Sequence, residues 1–403
     1  MAKLVTENLS KIFGPRPERV LEFLRSGGTK AEAQERFHAA VGVHDVSLEI
    51  NEGETFVLMG LSGSGKSTLL RLLNRLHEPT AGRILVDGEP ITGLNARDLR
   101  RVRSEKFAGM VFQHFAILPH RTVLDNVAYG LEVQGIKKNE RYARAQESIS
   151  QVGLAGWEQS YPHQLSGGMQ QRVGLARSLT VDGNILLMDE AFSALDPLIR
   201  KEMQEELLDL QARLKKTIVF VTHDLDEALK LGDRIAIMRD ARLVQLGTAE
   251  EIVSQPADDY VRAFVEGADR TGVLTAESIM QRPMSTAILR DGPQTALNKI
   301  RRHGLSSLFV VSTERQLHGL VLPEQLLEHR NAGTIPMDIV EEATVVHLDT
   351  PLDEIIDLAA GLNGPIAVTD ANNRLRGVIV KGAILAALSN NGNGAEETEA
   401  AHV

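Results

Sequence analysis

The chain has 403 residues, 43% hydrophobic and 24% charged, with a formal net charge of −10 and no cysteine. That length accommodates two or three domains of a soluble protein. The acidic balance argues against nucleic acid as a partner, and the lack of cysteine excludes disulfides and thiolate metal sites while fitting a reducing compartment. No stretch approaches the roughly 18 uncharged apolar residues that cross a bilayer, and the segment from Met1 to Glu7 has no signal-like apolar run, so a cytoplasmic location is expected.

In chain order, Phe13 to Val41 reads as an insertion opening with Pro15-Arg16-Pro17, and Val20, Leu21, Phe23 and Leu24 predict a short amphipathic helix within it. Val43 to Ile50 reads as a strand, one of a series alternating with helices up to about residue 250, the pattern of an α/β domain with a largely parallel sheet. Phe56-Val57-Leu58-Met59 reads as a buried strand and Thr68 to Leu73 as a helix. Between them, Gly60-Leu61-Ser62-Gly63-Ser64-Gly65-Lys66-Ser67-Thr68 fits the phosphate-cradling pattern G-x-x-x-x-G-K-[ST]. Glycines let the backbone N–H groups wrap a triphosphate, and the helix start behind the loop adds unpaired N–H groups. Lys66 is placed to reach the β- and γ-phosphates and Ser67 to ligate Mg²⁺, which makes ATP and Mg²⁺ the expected cofactors.

Residues 90–180 read as mostly helical, with Arg100, Arg101, Arg103 and Lys106 on solvated faces. Leu165-Ser166-Gly167-Gly168-Met169-Gln170-Gln171-Arg172 then opens a helix with a serine and two glycines, a second anion-binding helix start in the same domain. One domain holds one nucleotide, so this second end serves a nucleotide bound elsewhere. The simplest geometry is a head-to-tail pair of chains, each presenting Ser166, Gly167 and Gly168 to the ATP on its partner's Lys66. The strand Ile185 to Met188 ends in Asp189 and Glu190. Asp189 is placed to hold Mg²⁺ through its water shell opposite Ser67, and Glu190 to polarise an attacking water. Thr217 to Val221 is another buried strand.

The character changes near Gly267, beyond which the chain repeats itself at an offset of 58 residues. Pro293 pairs with Pro351, Leu297 with Ile355, Val310 with Val368, Gly319 with Gly377 and Leu326 with Ile384. Each copy reads helix, strand, turn, strand, helix, and the two are expected to pack as one lobe. The tail after Asn390 reads as disordered and acidic.

These residues resemble the ATPase subunits of ABC transporters, whose signature motif LSGGMQQ matches. The resemblance implies further roles. Gln113 matches the glutamine that senses Mg²⁺ and contacts the permease, and Ser193-Ala194-Leu195-Asp196 matches a loop crossing the dimer interface. His223, in Val221-Thr222-His223-Asp224, matches the histidine that contacts the γ-phosphate. Phe13 falls where an aromatic stacks on adenine, and residues 113–119 match the permease-docking segment.

The likeness is closer to the importers of glycine betaine, proline betaine, choline and related quaternary amines. It rests on the insertion after Phe13, on Met188 to Arg200, and on a C-terminal repeat similar to a tandem CBS pair. The implied fold is a P-loop ABC-type nucleotide-binding α/β domain over residues 1–266, with a helical insertion at 15–40 and a helical subdomain at about 90–180. An α+β tandem CBS pair follows, at 275–332 and 333–390, and then the tail, 391–403. The implied partners are a second copy of the chain, membrane permease subunits and, indirectly, a periplasmic or lipid-anchored substrate-binding protein, with the chain peripheral on the inner face of the membrane.

In the repeat, Gly319 to Gln325 and Gly377 to Ala383 lack the hydroxyl and aspartate of nucleotide-binding CBS units. This leaves two regulatory signals open, ionic strength and a cyclic dinucleotide. Importers of amino acids or other small solutes, and ABC ATPases outside transport, are the alternative functions.

Overall fold

The computed structural model describes residues 2–113, 116–266, 272–362 and 364–388. The chain divides into two compact units, Met1–Gly267 and Ala268–Val403. The predicted tail, 391–403, lies outside the described residues, as do two residues of the predicted docking segment.

The first unit begins with strand β1 (Ala2–Phe13), helices α1 (Pro17–Arg25) and α2 (Lys30–Phe37), and strand β2 (Ala40–Asn51). Strand β3 (Thr55–Met59), helix α3 (Lys66–Leu73), strands β4 (Ala81–Val86) and β5 (Glu89–Pro90), helix α4 (Ala96–Lys106) and strand β6 (Phe107–Phe112) follow. Next come helices α5 (Val123–Val127), α6 (Tyr129–Val133), α7 (Lys138–Gln151) and α8 (Gly167–Leu179). Strand β7 (Ile185–Asp189), helix α9 (Pro197–Leu214), strand β8 (Thr217–Thr222), helix α10 (Leu225–Leu231) and strands β9 (Arg234–Arg239) and β10 (Arg242–Gly247) come after them.

Two sheets result. One has six strands in the order β10-β9-β3-β8-β7-β6, parallel except for the β9–β10 hairpin. The other has four strands in the order β2-β1-β4-β5, all antiparallel. Val43 to Ile50, expected within the parallel series, therefore sits in the antiparallel sheet. Its burial alternates (Val46, Leu48 and Ile50 inward), as suits a sheet with one wet face. The central strands β3, β7 and β8 are instead buried along their whole length. Helix α3 is packed with both sheets: its Leu69, Leu70, Leu72 and Leu73 share one core with Leu4, Val46 and Ile84 and with Leu58, Leu187 and Val221. At about 1.5–3 kcal/mol per buried aliphatic side chain, this packing fixes the helix behind the loop that precedes it. The region 90–180 also differs from expectation in containing β6, which pairs with β7.

The insertion folds as two helices. Thr29 caps α2 in a reciprocal box with Glu32. Val20, Leu21, Leu24 and Ala33 pack on Ile12, Val41 and Ala241, covering the end of the β1–β2 pair.

In the second unit, α14 (Pro293–His303), β12 (Leu308–Val311), β13 (Leu317–Val321) and α15 (Pro323–Glu328) recur as α16 (Leu352–Ala360), β15 (Ile366–Thr369), β16 (Leu375–Ile379) and α17 (Lys381–Leu388). Helices α11 (Ala249–Ser254) and α12 (Asp259–Val265) complete the first unit, and the second also holds α13 (Ala276–Ile279) and two short strands, β11 (Ala287–Ile288) and β14 (Val345–His347). Each of those strands runs parallel to the first long strand of its copy, a pairing too short to show in the sequence pattern. Phe309, Val311 and Leu317 of one copy share a core with Ala367 and Leu375 of the other. The two turns exchange hydrogen bonds: Leu317 N–H donates to Asn373 O and Leu375 N–H to Arg315 O, both at 2.9 Å.

Candidate active site

The parallel strands β3, β7 and β8 all end at one edge, and the residues just beyond their ends form the site. Past Met59, Gly60, Gly63 and Gly65 adopt left-handed φ of 144°, 77° and 108°. A Cβ on Gly60 would lie 2.2 Å from Met238 O, and one on Gly65 would lie 2.2 Å from Gly42 O, so two of the three glycines also let the loop pass under its neighbours. Ser64 N–H closes a turn onto Leu61 O at 3.1 Å. Because α3 begins at Lys66, the N–H groups of its first turn have no acceptor within the helix and face the loop's concavity.

Lys66 is buried, and its Nζ donates to Gly60 O at 2.7 Å and Leu61 O at 3.2 Å. Burial pushes its pKa below the usual lysine value, opposed by the nearby carboxylates of Glu190 and Asp189. Ser67 Oγ donates to Asp189 Oδ1 at 2.7 Å, and Arg71 Nη2 holds the other carboxylate oxygen at 3.2 Å. The hydroxyl and carboxylate are hard oxygen donors. Among the described residues no cluster of three or more His, Cys, Asp or Glu side chains forms a cage of protein ligands. Such a pair suits Mg²⁺, which keeps waters and substrate phosphates in its coordination sphere.

Glu190 follows β7 with φ +48°, a left-handed conformation uncommon outside glycine. Its amide donates to Val221 O at 3.0 Å, and its carbonyl accepts from the Ser193 hydroxyl at 2.9 Å. These bonds hold the turn that carries its side chain. His223 follows β8, and its Nδ1 lies 3.3 Å from Glu190 Oε2. Beneath it, Glu227 is buried and accepts hydrogen bonds from Thr222 Oγ1 and Gln204 Nε2. Gln113 follows β6, whose Phe112 is in register with Asp189, so it leaves the sheet at the same edge.

Phe13 pairs with Ala40 across β1–β2, and its ring makes an edge contact with His77 at 5.4 Å between centroids. A Cβ on Gly42 would meet both the Phe13 ring and the Thr68 methyl at 2.8 Å, which places the ring beside the end of the loop. Ser166 caps α8 through Met169 N–H at 3.3 Å, and a Cβ on Gly168 would lie 2.6 Å from Ile199 on the first turn of α9. Asp196 caps that second helix through Ile199 N–H at 3.1 Å. Among the described residues no hydrogen bond joins Ser166, Gly167 or Gly168 to the 60–68 loop of the same chain. Lys66, Ser67, Asp189, Glu190 and His223 thus converge, Gln113 and Phe13 flank them, and the two helix starts at Ser166 and Asp196 form a separate corner.

Two contacts were missed from the sequence. Arg71 is one helical turn beyond Ser67, a spacing that puts both on one face of α3 and was a readable signal. Lys30, in the insertion, donates from Nζ to Gly63 O at 2.7 Å, and nothing local signals that contact.

The sequence profile of the family described as ABC transporter matches residues 43–193. The chain is 50% identical to the glycine betaine transport ATP-binding protein OpuAA of Bacillus subtilis, over 96% of this chain and 93% of that one. It is equally identical to the glycine betaine/carnitine transport ATP-binding protein GbuA of Listeria monocytogenes, over 97% and 98% of the two chains. Among solved structures it is similar to the dimeric bacterial ABC transporter cassette MJ0796, at 31% identity and a TM-score of 0.52, over 61% of this chain and 98% of that one. A related structure of the same cassette, in a post-hydrolysis state, holds ADP and Pi. Among the described residues no helix is long and apolar enough to cross a membrane. The chain belongs to the ABC transporter family, among its ATP-binding ATPase subunits.

Proposed function

We propose that two copies of this chain sandwich ATP and power the uptake of a quaternary ammonium osmolyte through separate permease subunits. Glycine betaine, proline betaine and choline are the leading solutes; the names of relatives that match over nearly the whole chain support the two betaines. The observation that carries the motor chemistry is the convergence of Lys66, Ser67, Asp189, Glu190 and His223 at one sheet edge.

In the proposed cycle Lys66 exchanges the carbonyls of Gly60 and Leu61 for β- and γ-phosphate oxygens, while the amides from Leu61 to Thr68 cradle the phosphates. Ser67, Gln113 and Asp189 would hold Mg²⁺. When bound, the ion neutralises charge on the transferring phosphoryl group. Phe13 stacks on adenine. Ser166, Gly167 and Gly168 of the opposing copy close over the γ-phosphate, with Asp196 at the same interface. Glu190 orients the attacking water and accepts its proton, and His223 steadies Glu190 and reaches the γ-phosphate.

The permease docks beside residues 113–119. There the fully buried Asn126 accepts from Leu118 N–H at 2.7 Å and donates back to Leu118 O at 3.0 Å. The chain works at the inner membrane face, with a substrate-binding protein acting through the permease.

The second unit is proposed as a regulatory tandem CBS pair, with copies at 275–332 and 333–390. It contains a cavity of about 480 Å³ lined in part by Arg282, His303, Ser307 and Lys381. The Ser307 hydroxyl there is buried without a partner. The Arg282 and Lys381 cations and that hydroxyl favour an anionic ligand, a cyclic dinucleotide, over a response to ionic strength alone.

Reconstitution with the permease in vesicles, measuring uptake of betaine, choline and proline at low and high salt, tests the reading. ATP-dependent betaine uptake that is lost with Glu190→Gln supports it. Intact ATP turnover without uptake of any of these solutes removes the cargo, and absence of turnover removes the motor.

A further inference from the structure

The helical insertion sends a cation to the phosphate loop. Lys30 is the first residue of α2, and the Thr29–Glu32 capping box fixes where that helix starts. Val20, Leu21, Leu24 and Ala33 seat the two helices on β1 and β2. From there Lys30 Nζ donates to Gly63 O at 2.7 Å. The planar Gly63–Ser64 peptide is therefore held at both ends, its carbonyl by Lys30 and its N–H by Leu61 O.

Gly63 has φ +77° and open space where a side chain would be, so no side-chain packing at that position restrains the peptide. If it rotated, the Leu61–Ser64 turn would open. Leu61 O, which also accepts from Lys66, would then lose one of its two donors. The contact spans the insertion and the loop, and Lys30 bonds the turn at the Gly63 carbonyl.

We propose that Lys30 is a positioning residue for nucleotide binding: by pinning the Gly63 carbonyl it holds the phosphate loop open for both ATP and ADP. This rests on the reading of residues 60–68 as the ATP site, and it gives the insertion a function beyond covering a sheet edge. Because the pin acts on the loop and not on the γ-phosphate, its loss weakens both nucleotides alike.

The test is calorimetric titration of the full chain with MgATP and MgADP, comparing wild type, Lys30→Met and Lys30→Arg, with turnover measured in the permease complex. Lys30→Met is expected to weaken both nucleotides by about three- to tenfold, the worth of one solvent-exposed intramolecular hydrogen bond, with kcat changed less than about twofold. Lys30→Arg, which keeps a donor and a charge, is expected to restore most of the affinity. Unchanged affinity in Lys30→Met, loss confined to ATP, or an arginine variant as impaired as the methionine one would each overturn the pin. Failure of the wild-type chain to bind either nucleotide would instead overturn the ATP-site reading, and the pin with it.

Discussion

His223 Nδ1 lies 3.3 Å from Glu190 Oε2, the two residues standing just past the ends of the adjacent parallel strands β7 and β8. The parallel pairing of those strands brings the two residues side by side. Glu190→Gln keeps the shape and removes the proton acceptor. It is expected to bind ATP, to lower turnover by about 10²–10⁴-fold and to accumulate as a closed pair visible by small-angle scattering. Wild-type turnover in this variant would remove Glu190 as the catalytic carboxylate.

Lys66 makes a second case, in which function and stability oppose each other. Burial lowers its folded pKa below the ordinary value of 10.5. A depressed folded pKa means that the stability contribution is present above the unfolded value and lost as pH falls through the folded one. At neutral pH the buried ammonium is therefore a cost. Lys66→Met is expected to reduce turnover by about 10²–10³-fold while melting at the same temperature or higher. A clear drop in melting temperature would contradict this account of the site.

Arg71 competes for the carboxylate proposed to hold Mg²⁺, since its Nη2 sits 3.2 Å from Asp189 Oδ2. The Arg71 side chain is 41% exposed, so the pair is worth only a fraction of a kcal/mol to about 1 kcal/mol. Arg71→Met is expected to lower the Mg²⁺ concentration for half-maximal turnover by about two- to fivefold. A higher Mg²⁺ requirement would show instead that Arg71 holds Asp189 in its working position.

Burial pushes the Glu227 carboxyl above its ordinary 4.5, with the hydrogen bonds from Thr222 and Gln204 pulling the other way. For an acid raised in the folded state, the stability contribution is full below the unfolded pKa and lost as pH rises through the folded value. The melting temperature of Glu227→Gln relative to wild type is thus expected to rise between acid and neutral pH. A flat difference across that range would mean that Glu227 titrates as it does in the unfolded chain.

Gly60→Ala tests the loop's geometry apart from its chemistry. Its Cβ would sit 2.2 Å from the Met238 carbonyl oxygen, at a φ of 144° that only glycine adopts readily. The backbone cost is about 1–3 kcal/mol, read as a melting temperature lower by roughly 2–4 °C per kcal/mol. An unaltered melting curve would show that the loop shifts freely past β9.

The strand–loop–helix at 56–73 was legible because its pattern is local: an apolar run, spaced glycines, then a helix whose apolar face is continuous. Val43 to Ile50 was legible as a strand but not as a member of the antiparallel sheet, since its partner β1 lies across the insertion and alternation says nothing about pairing. The proximity of Glu190 and His223 follows from parallel strand order, which a single sequence does not print. The Arg71–Asp189 bond was half legible, through the one-turn spacing from Ser67. The Lys30–Gly63 contact was not legible at all, because it joins two segments brought together by tertiary packing alone.

In the second unit, the hydrogen bonds from Leu317 to Asn373 and from Leu375 to Arg315 are the same bond made twice, once in each direction. Neither half can shed its part of the clasp without unfastening the other's. With the shared core of Phe309, Val311, Leu317, Ala367 and Leu375, loss of one repeat strips the other of both partners and packing, so a single melting step is the expected behaviour of the lobe.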